Sequence, residues 1–209
     1  MDPEQRNQRL RLLVSKVNKA RKKQAKKIDI LCNNLIAEHR NFIRRLNTIN
    51  FTACFYETIL GTTDLNSLLH LAGRVVKEQI GDVTVVFFLR QNDNFELHML
   101  ESCQPIGLEK QRLENCFTNE LVDNICKSNK ICTLDCLLAM GLNGNPAMLN
   151  KISVVTIPLG QFGLSLGFVL IYRSSENKLT EEELNGITAI IPGLSHAIQL
   201  CQTLSHIHG

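Results

Sequence analysis

Long apolar runs are missing from this sequence of 209 residues. The longest stretches, such as Val85–Leu89, fall far short of the ~20 apolar residues that a membrane-spanning helix needs. The N-terminus is charged from Asp2 onward and lacks the apolar segment of a signal peptide. The eight cysteines are therefore expected to be free thiols and not a disulfide framework. Together these features predict a cytoplasmic protein.

Glycine is absent from a long N-terminal segment, and proline occurs there only at its start. No glycine precedes Gly61, and the only proline before it is Pro3. The segment is rich in Arg, Lys, Gln, Ala and Leu, which favour helices. We therefore predict one long helix over residues 4–60. This divides the chain into two domains, with a helical region at 1–60 and a globular region at 61–209.

Apolar residues in the helical region recur at alternating spacings of three and four, which is typical of a coiled coil. One small domain cannot bury such a stripe along so long a helix. We therefore expect a homodimer in which two copies of the helix pair along their apolar stripes. The residues predicted to form the centre of this dimer seam are Leu35, Phe42, Leu46 and Ile49.

Charge is distributed unevenly along the chain. Residues 1–52 carry 13 Lys and Arg against 4 Asp and Glu, whereas residues 53–209 carry 10 against 16. The basic run Arg21–Lys27 raises the possibility of a nucleic-acid-associated regulator. However, it has neither interleaved aromatic residues nor a basic-zipper pattern. The favoured interpretation is the solvated outer face of a coiled coil, with nucleic-acid binding as the alternative.

The pattern after Gly61 alternates between helices and strands. An amphipathic helix at Leu65–Ile80 is preceded by N-cap candidates, among them Asp64, and is ended by Gly81. Most strands arrive as hairpins, so an α+β fold with an antiparallel sheet is expected. The other predicted elements are strands at Val83–Leu89 and Phe95–Leu100, helices within 108–127, a strand at Ile131–Asp135, a loop with a helical turn over 137–151, a hairpin of Ile152–Leu159 with Leu166–Tyr172, and a last helix that begins with a Thr180/Glu183 capping box.

Several segments resemble those of the GAF domain, a small sensory module. The segment TTDLNSLLHLAGRVVKEQIG followed by DVTVVFFL is similar to the first helix and strand of that family. The segment KISVVTIPLG with LGFVLIY is similar to the family's late hairpin. The segment LTEEELNGITAIIPGLSHAIQL resembles the family's closing helix. Together the resemblance covers about residues 61–204. It implies an antiparallel sheet with helices on one face. The other face would hold a small-molecule pocket roofed by residues 105–150.

Strand alternation separates two faces of the first strand but does not say which of them meets this pocket. Candidate ligand-binding residues are Thr84, Val86 and Phe88 on that strand, and Phe117, Leu121, Leu134, Met140 and Met148 in the roof. Packing in a core explains each of them equally well. An apolar roof with few charges suits a largely apolar ligand or none. The ligand and any cofactor stay unidentified.

The cysteines support a second hypothesis, a thiol-based redox sensor or enzyme. Its candidates are Cys126, Cys132 and Cys136, but the one close pair is separated by three residues, unlike the CxxC pairs of metal sites. The sequence has no P-loop, GxSxG, HExxH or GxGxxG motif. We therefore predict neither a metal site nor an enzyme. The favoured function is a non-catalytic sensory module that signals through its coiled coil to an output domain or to a partner in trans.

Overall fold

The computed structural model describes residues 3–91, 94–99, 116–161 and 164–208. The chain divides into two compact units, Met1–Asn47 and Thr48–Gly209. Helix α1 (Pro3–Ile59) makes up the first unit and supplies the first element of the second. This agrees with the long helix predicted for residues 4–60.

The boundary between the two units lies between Asn47 and Thr48. It comes earlier in the chain than the boundary at residue 60 that the sequence predicts. The last turns of α1 carry Phe51, Phe55 and Ile59, which are four residues apart and buried in the core of the second unit. Residues at this spacing share one helix face. The end of α1 is therefore part of the globular unit.

The second unit contains an antiparallel sheet of five strands within the described residues, in the order β2–β1–β5–β4–β3. This confirms the predicted α+β class with its antiparallel sheet. The elements after α1 are α2 (Leu65–Ile80), β1 (Thr84–Gln91), β2 (Asn94–Met99), α3 (Asn119–Ser128), β3 (Cys132–Thr133), α4 (Leu134–Ala139), α5 (Pro146–Leu149), β4 (Ile152–Gln161), β5 (Leu164–Ser174) and α6 (Glu181–His208).

Helix α2 has the bounds that the sequence predicts. At its start the Asp64 carboxylate accepts a hydrogen bond from the Ser67 backbone N–H at 2.7 Å. At its end Gly81 has a φ of 85°, which residues with a side chain rarely adopt. A capping acid and a glycine at these positions stop the helix at both ends.

One predicted strand is largely replaced by a helix. Strand pairing in this segment is limited to Cys132 and Thr133, which lie opposite Thr156 and Val155 of β4. Leu134 and Asp135, expected at the end of a strand, begin α4 instead. A carboxylate in the first turn is favourable there because the N-terminal end of a helix carries partial positive charge. The strand predicted at Ile131–Asp135 is therefore wrong beyond Thr133.

The remaining elements follow the sequence pattern closely. The late hairpin is confirmed with longer strands, and the segment 137–151 contains α5 and the end of α4. Of the helices expected within 108–127, α3 is confirmed, while residues 108–115 lie outside the described residues.

Two apolar cores lie on opposite faces of the sheet. Val85, Phe87 and Leu89 of β1 belong to the helix-side core, which also contains the buried residues of α1, α2 and α6. Val86 and Phe88 belong to the roof-side core, together with residues of α3 to α5. The strand period of two thus divides β1 between two separate cores.

Candidate functional site

Three phenylalanine rings form the centre of the roof-side core. The rings of Phe88 and Phe168 stack with their centroids 4.6 Å apart, and Phe117 lies 4.9 Å from Phe88 and 5.7 Å from Phe168. These separations are within the range of favourable ring contacts. Since Phe117 precedes α3 while its two neighbours belong to the sheet, the three rings join the roof segment to the sheet.

Most of the predicted ligand-binding residues meet at this core. Val86, Phe88, Phe117 and Leu121 are buried within it. Leu134 and Met140 pack against it and are partly buried. Thr84 is buried on the same strand as Val86 and Phe88. Met148 belongs to α5, and its side chain lies outside the described residues.

The residues that β5 contributes to this core are not among the predicted ligand-binding residues. Phe168, Leu170 and Tyr172 alternate along the strand and are all buried on the roof side. They lie opposite Phe88, Val86 and Thr84 in the register of β1 and β5. The same alternation used for β1 would have identified them, because facing residues in an antiparallel pair share a side of the sheet.

A charged pair borders the aromatic core at the end of β1. The Arg90 guanidinium lies 2.6 Å from the Asp123 carboxylate of α3, and it also lies 5.2 Å from the centre of the Phe95 ring. Both side chains of the pair are partly exposed. No sequence signal predicts this pair, because the two residues are distant in the chain and neither belongs to a motif.

The candidate redox cysteines occupy different environments. Burial raises the pKa of the Cys126 thiol, and the nearby Ser165 hydroxyl and Arg90 charge only partly offset this effect. Cys132 is buried, whereas Cys136 is exposed. Each of the described cysteines is a free thiol. A raised pKa reduces the thiolate fraction at neutral pH, so Cys126 does not have the environment of an activated thiol.

The described parts of the chain contain no group of three or more His, Cys, Asp or Glu side chains arranged to hold a metal ion. They also contain no helix long and apolar enough to cross a bilayer.

The end of α1 contacts α6 at two glycines. The Tyr56 ring lies so close to Gly193 that a Cβ built there would be 2.1 Å from the Tyr56 Cε1 atom. One heptad earlier on α6, a Cβ at Gly186 would lie 3.6 Å from the Phe51 Cδ1 atom. Of these two glycines, Gly193 is therefore the one that can less easily accept a larger residue.

Helix α1 also carries apolar side chains that nothing in the described structure covers. The predicted seam residues Leu35, Phe42, Leu46 and Ile49 are 71%, 58%, 41% and 62% exposed. Leu60, which follows α1 and continues the same sequence pattern, is exposed as well. The predicted seam is therefore distinct from the stripe of Phe51, Phe55 and Ile59 that the globular unit buries.

Solved structures with the same arrangement are GAF domains. The GAF domain of a phosphoenolpyruvate-protein phosphotransferase from Acinetobacter is similar, with a TM-score of 0.56 and 13% identity over 76% of this chain and 97% of that one. The corresponding domain from Coxiella burnetii has a TM-score of 0.54 and 15% identity over 78% of this chain and 95% of that one.

A methyl-accepting chemotaxis protein is also similar, with a TM-score of 0.51 and 15% identity over 74% of this chain and 98% of that one. No family profile matches the sequence, and no curated protein matches it. The likeness is therefore one of structure, and the chain has a GAF-like fold preceded by a long helix.

Proposed function

We propose that the protein is a non-catalytic sensory module that binds an apolar small molecule on the roof side of its sheet. Occupancy of this face alters the packing of the globular unit and is relayed through α1 to a dimeric coiled coil. The output lies in another domain or in a partner acting in trans.

The observation that carries this proposal is the shared core of α1 and the sheet. Phe51, Phe55 and Ile59 are buried in the same cluster as Phe87 of β1 and the apolar residues of α6. Protein cores are close-packed, so a shift of the sheet or of α6 must be accommodated by the end of α1. The last turns of α1 therefore pack in the same core as one face of the sheet.

The composition of the roof-side core supports an apolar ligand. Most of its buried residues are aromatic or aliphatic, and polar groups come from the Cys132 thiol, the Tyr172 hydroxyl and the buried side chains of Thr84 and Thr156. The partly exposed pair of Arg90 and Asp123 supplies polar groups at its border. Ligand sites commonly combine an apolar lining with a few polar groups that set orientation. The three rings are in contact in this structure, so a ligand would separate Phe117 from the sheet.

The exposed seam of α1 supports the relay. A ligand shifts a conformational equilibrium only by binding one of two packings more tightly. Two α1 helices that pair along Leu35, Phe42 and Leu46 can pack against each other in two ways. A chemotaxis protein and a GAF sensor protein are among the structures that share this fold, which favours the sensory function.

The ligand is tested by mass spectrometry of small molecules released from the purified full chain. Val86 and Val85 offer a matched pair, because both are fully buried on β1 but on opposite sides of the sheet. Enlarging either residue to leucine should cost a similar amount of packing energy, about 1–3 kcal/mol. We expect the wild type and Val85→Leu to carry a bound apolar molecule and Val86→Leu to lose most of it.

Absence of any bound molecule from the wild type, together with no change in its melting temperature across a library of apolar compounds, would contradict the sensory proposal. Loss of the molecule from both variants would place its site elsewhere than the roof side.

A further inference from the structure

Four lysines form a basic face on α1 that the sensory function does not use. Lys19, Lys22, Lys23 and Lys26 are spaced by three, four and seven residues, which places them on one side of the helix. All four are exposed. No acidic residue occurs between Lys16 and Lys27, a segment that also contains Arg21. We call the four lysines the basic face.

The charge of this face is not neutralised within the described chain. None of the ion pairs found among the described residues includes these lysines. Lys19 and Lys23 are four residues apart, as are Lys22 and Lys26, and like charges at that spacing destabilise a helix. A coiled-coil surface that serves only solubility normally alternates acidic and basic residues. The uninterrupted charge therefore favours an anionic partner over a merely solvated surface.

The residues opposite the basic face help to identify that partner. A helix lying on a membrane needs large apolar residues opposite its charges. At the level of the four lysines that side carries Arg21 and Gln24, with Ala20 at its edge. Lipid insertion at this level is therefore unfavourable, whereas a partner that contacts only the charges meets no such requirement.

We propose that the basic face binds the phosphate backbone of duplex nucleic acid. The four lysines span about 11 Å of helix, and a duplex presents one charge about every 1.7 Å of its axis. The duplex can therefore supply an anion to each lysine. Lysine contacts to phosphate carry no sequence information, so binding is expected to be independent of base sequence. This function is separate from the sensory one and does not depend on it.

The test measures binding of the full chain to fluorescent duplex DNA and duplex RNA of arbitrary sequence, over about 50–200 mM salt. The test variant replaces all four lysines of the basic face by glutamine. A matched control replaces Lys127, Lys130, Lys151 and Lys178, which are exposed lysines of the globular unit, by glutamine. A second control replaces the basic face by four arginines, which keeps its charge.

The wild type and both controls should bind at least one duplex, with affinity that falls steeply as salt rises. The glutamine variant of the basic face should bind more than tenfold more weakly at low salt. Its plot of log affinity against log salt should be shallower by about 3–4, since each phosphate contact contributes about 0.9 to the slope. Circular dichroism establishes that this variant keeps its helix content.

Three results would overturn the proposal. One is no binding of the wild type to either duplex at the lowest salt. Another is equal binding by the basic-face variant and the globular-unit control. The third is binding to vesicles that contain anionic lipid without binding to either duplex, which would identify a membrane surface instead.

Discussion

Phe55 and Phe42 lie on the same helix, yet Phe55 is fully buried and Phe42 is largely exposed. Phe55 belongs to a stripe that the globular unit covers, together with Phe51 and Ile59. Phe42 belongs to a stripe that the described chain leaves open. The two stripes of α1 therefore differ in what covers them. The globular unit buries one stripe, and we propose that a second copy of the chain covers the other.

The largest effect is expected from truncation of the buried stripe. Phe55→Ala removes a fully buried ring, so the free energy of unfolding of the globular unit should fall by about 4 kcal/mol. Phe42→Ala is the matched control on the exposed stripe and should leave that value within about 0.5 kcal/mol, when unfolding is followed at a concentration too low for two copies to pair. Denaturant unfolding followed by circular dichroism measures both. Equal destabilisation by the two substitutions would remove the distinction between the stripes.

The next effect concerns the start of α6, the helix that α1 contacts. Arg173 is buried and bonds to both carboxylate oxygens of Glu183, at 3.1 and 2.9 Å. The Glu183 carboxylate also accepts a hydrogen bond from the Thr180 backbone N–H at 2.6 Å, which confirms the predicted capping box. Removing the carboxylate leaves a buried charge without its partner, so Glu183→Ala should destabilise the globular unit by about 3 kcal/mol.

This pair also predicts a pH dependence. Burial raises the pKa of Glu183, but its hydrogen bonds with Thr180 and Arg173 outweigh burial, and the net pKa is lowered from 4.5. A lowered pKa contributes stability above the unfolded value, and this contribution is lost as pH falls below about 4.5 and through the folded pKa. Stability of the wild type should therefore decline over that acidic range. Glu183→Gln should decline less over the same range, and an identical decline would contradict the assignment.

A smaller effect is expected where α1 crosses α6. A Cβ at Gly193 would be 2.1 Å from Tyr56, so Gly193→Ala should destabilise the globular unit by about 2 kcal/mol. Gly186→Ala is the control, because its Cβ would make an ordinary contact with Phe51 at 3.6 Å. The control should be neutral or stabilising by up to about 1 kcal/mol, since alanine favours helices over glycine.

The double variant Tyr56→Ala with Gly193→Ala separates this contact from a general effect of Gly193. The smaller side chain makes room for the new Cβ, so the double variant should be more stable than Gly193→Ala alone. If Tyr56→Ala brings no recovery, the close contact is not the cause.

Local patterns predicted much of this fold. Helix α2 and strand β1 follow from their periods of 3.6 and two and from the residues at their ends. The strand predicted at Ile131–Asp135 failed after Thr133 because a short apolar run fits a strand or a helix equally well, and tertiary pairing with β4 extends over only two residues.

The two stripes of α1 show what the sequence alone does not specify. Phe51, Phe55 and Ile59 recur every four residues, and the seam residues recur at intervals of seven, four and three. Both patterns place their residues on one helix face, and neither identifies which stripe the domain covers. Likewise, the alternation of Val85, Val86 and Phe87 defines two sheet faces without saying which one meets the helices. The contact of Arg90 with Asp123 depends on residues far apart in the chain, so it became evident only in the folded structure.

The proposed relay depends on the pairing of two copies of the chain along the exposed stripe of α1. Sedimentation of the full chain at micromolar concentration tests it, with a variant that carries Leu35→Glu, Phe42→Glu and Leu46→Glu. A control with Ile131→Glu, Leu138→Glu and Leu164→Glu changes three exposed apolar residues of the globular unit. We expect the wild type and the control to be dimers and the seam variant to be a monomer. A monomeric wild type, or a seam variant that stays dimeric, would contradict the account.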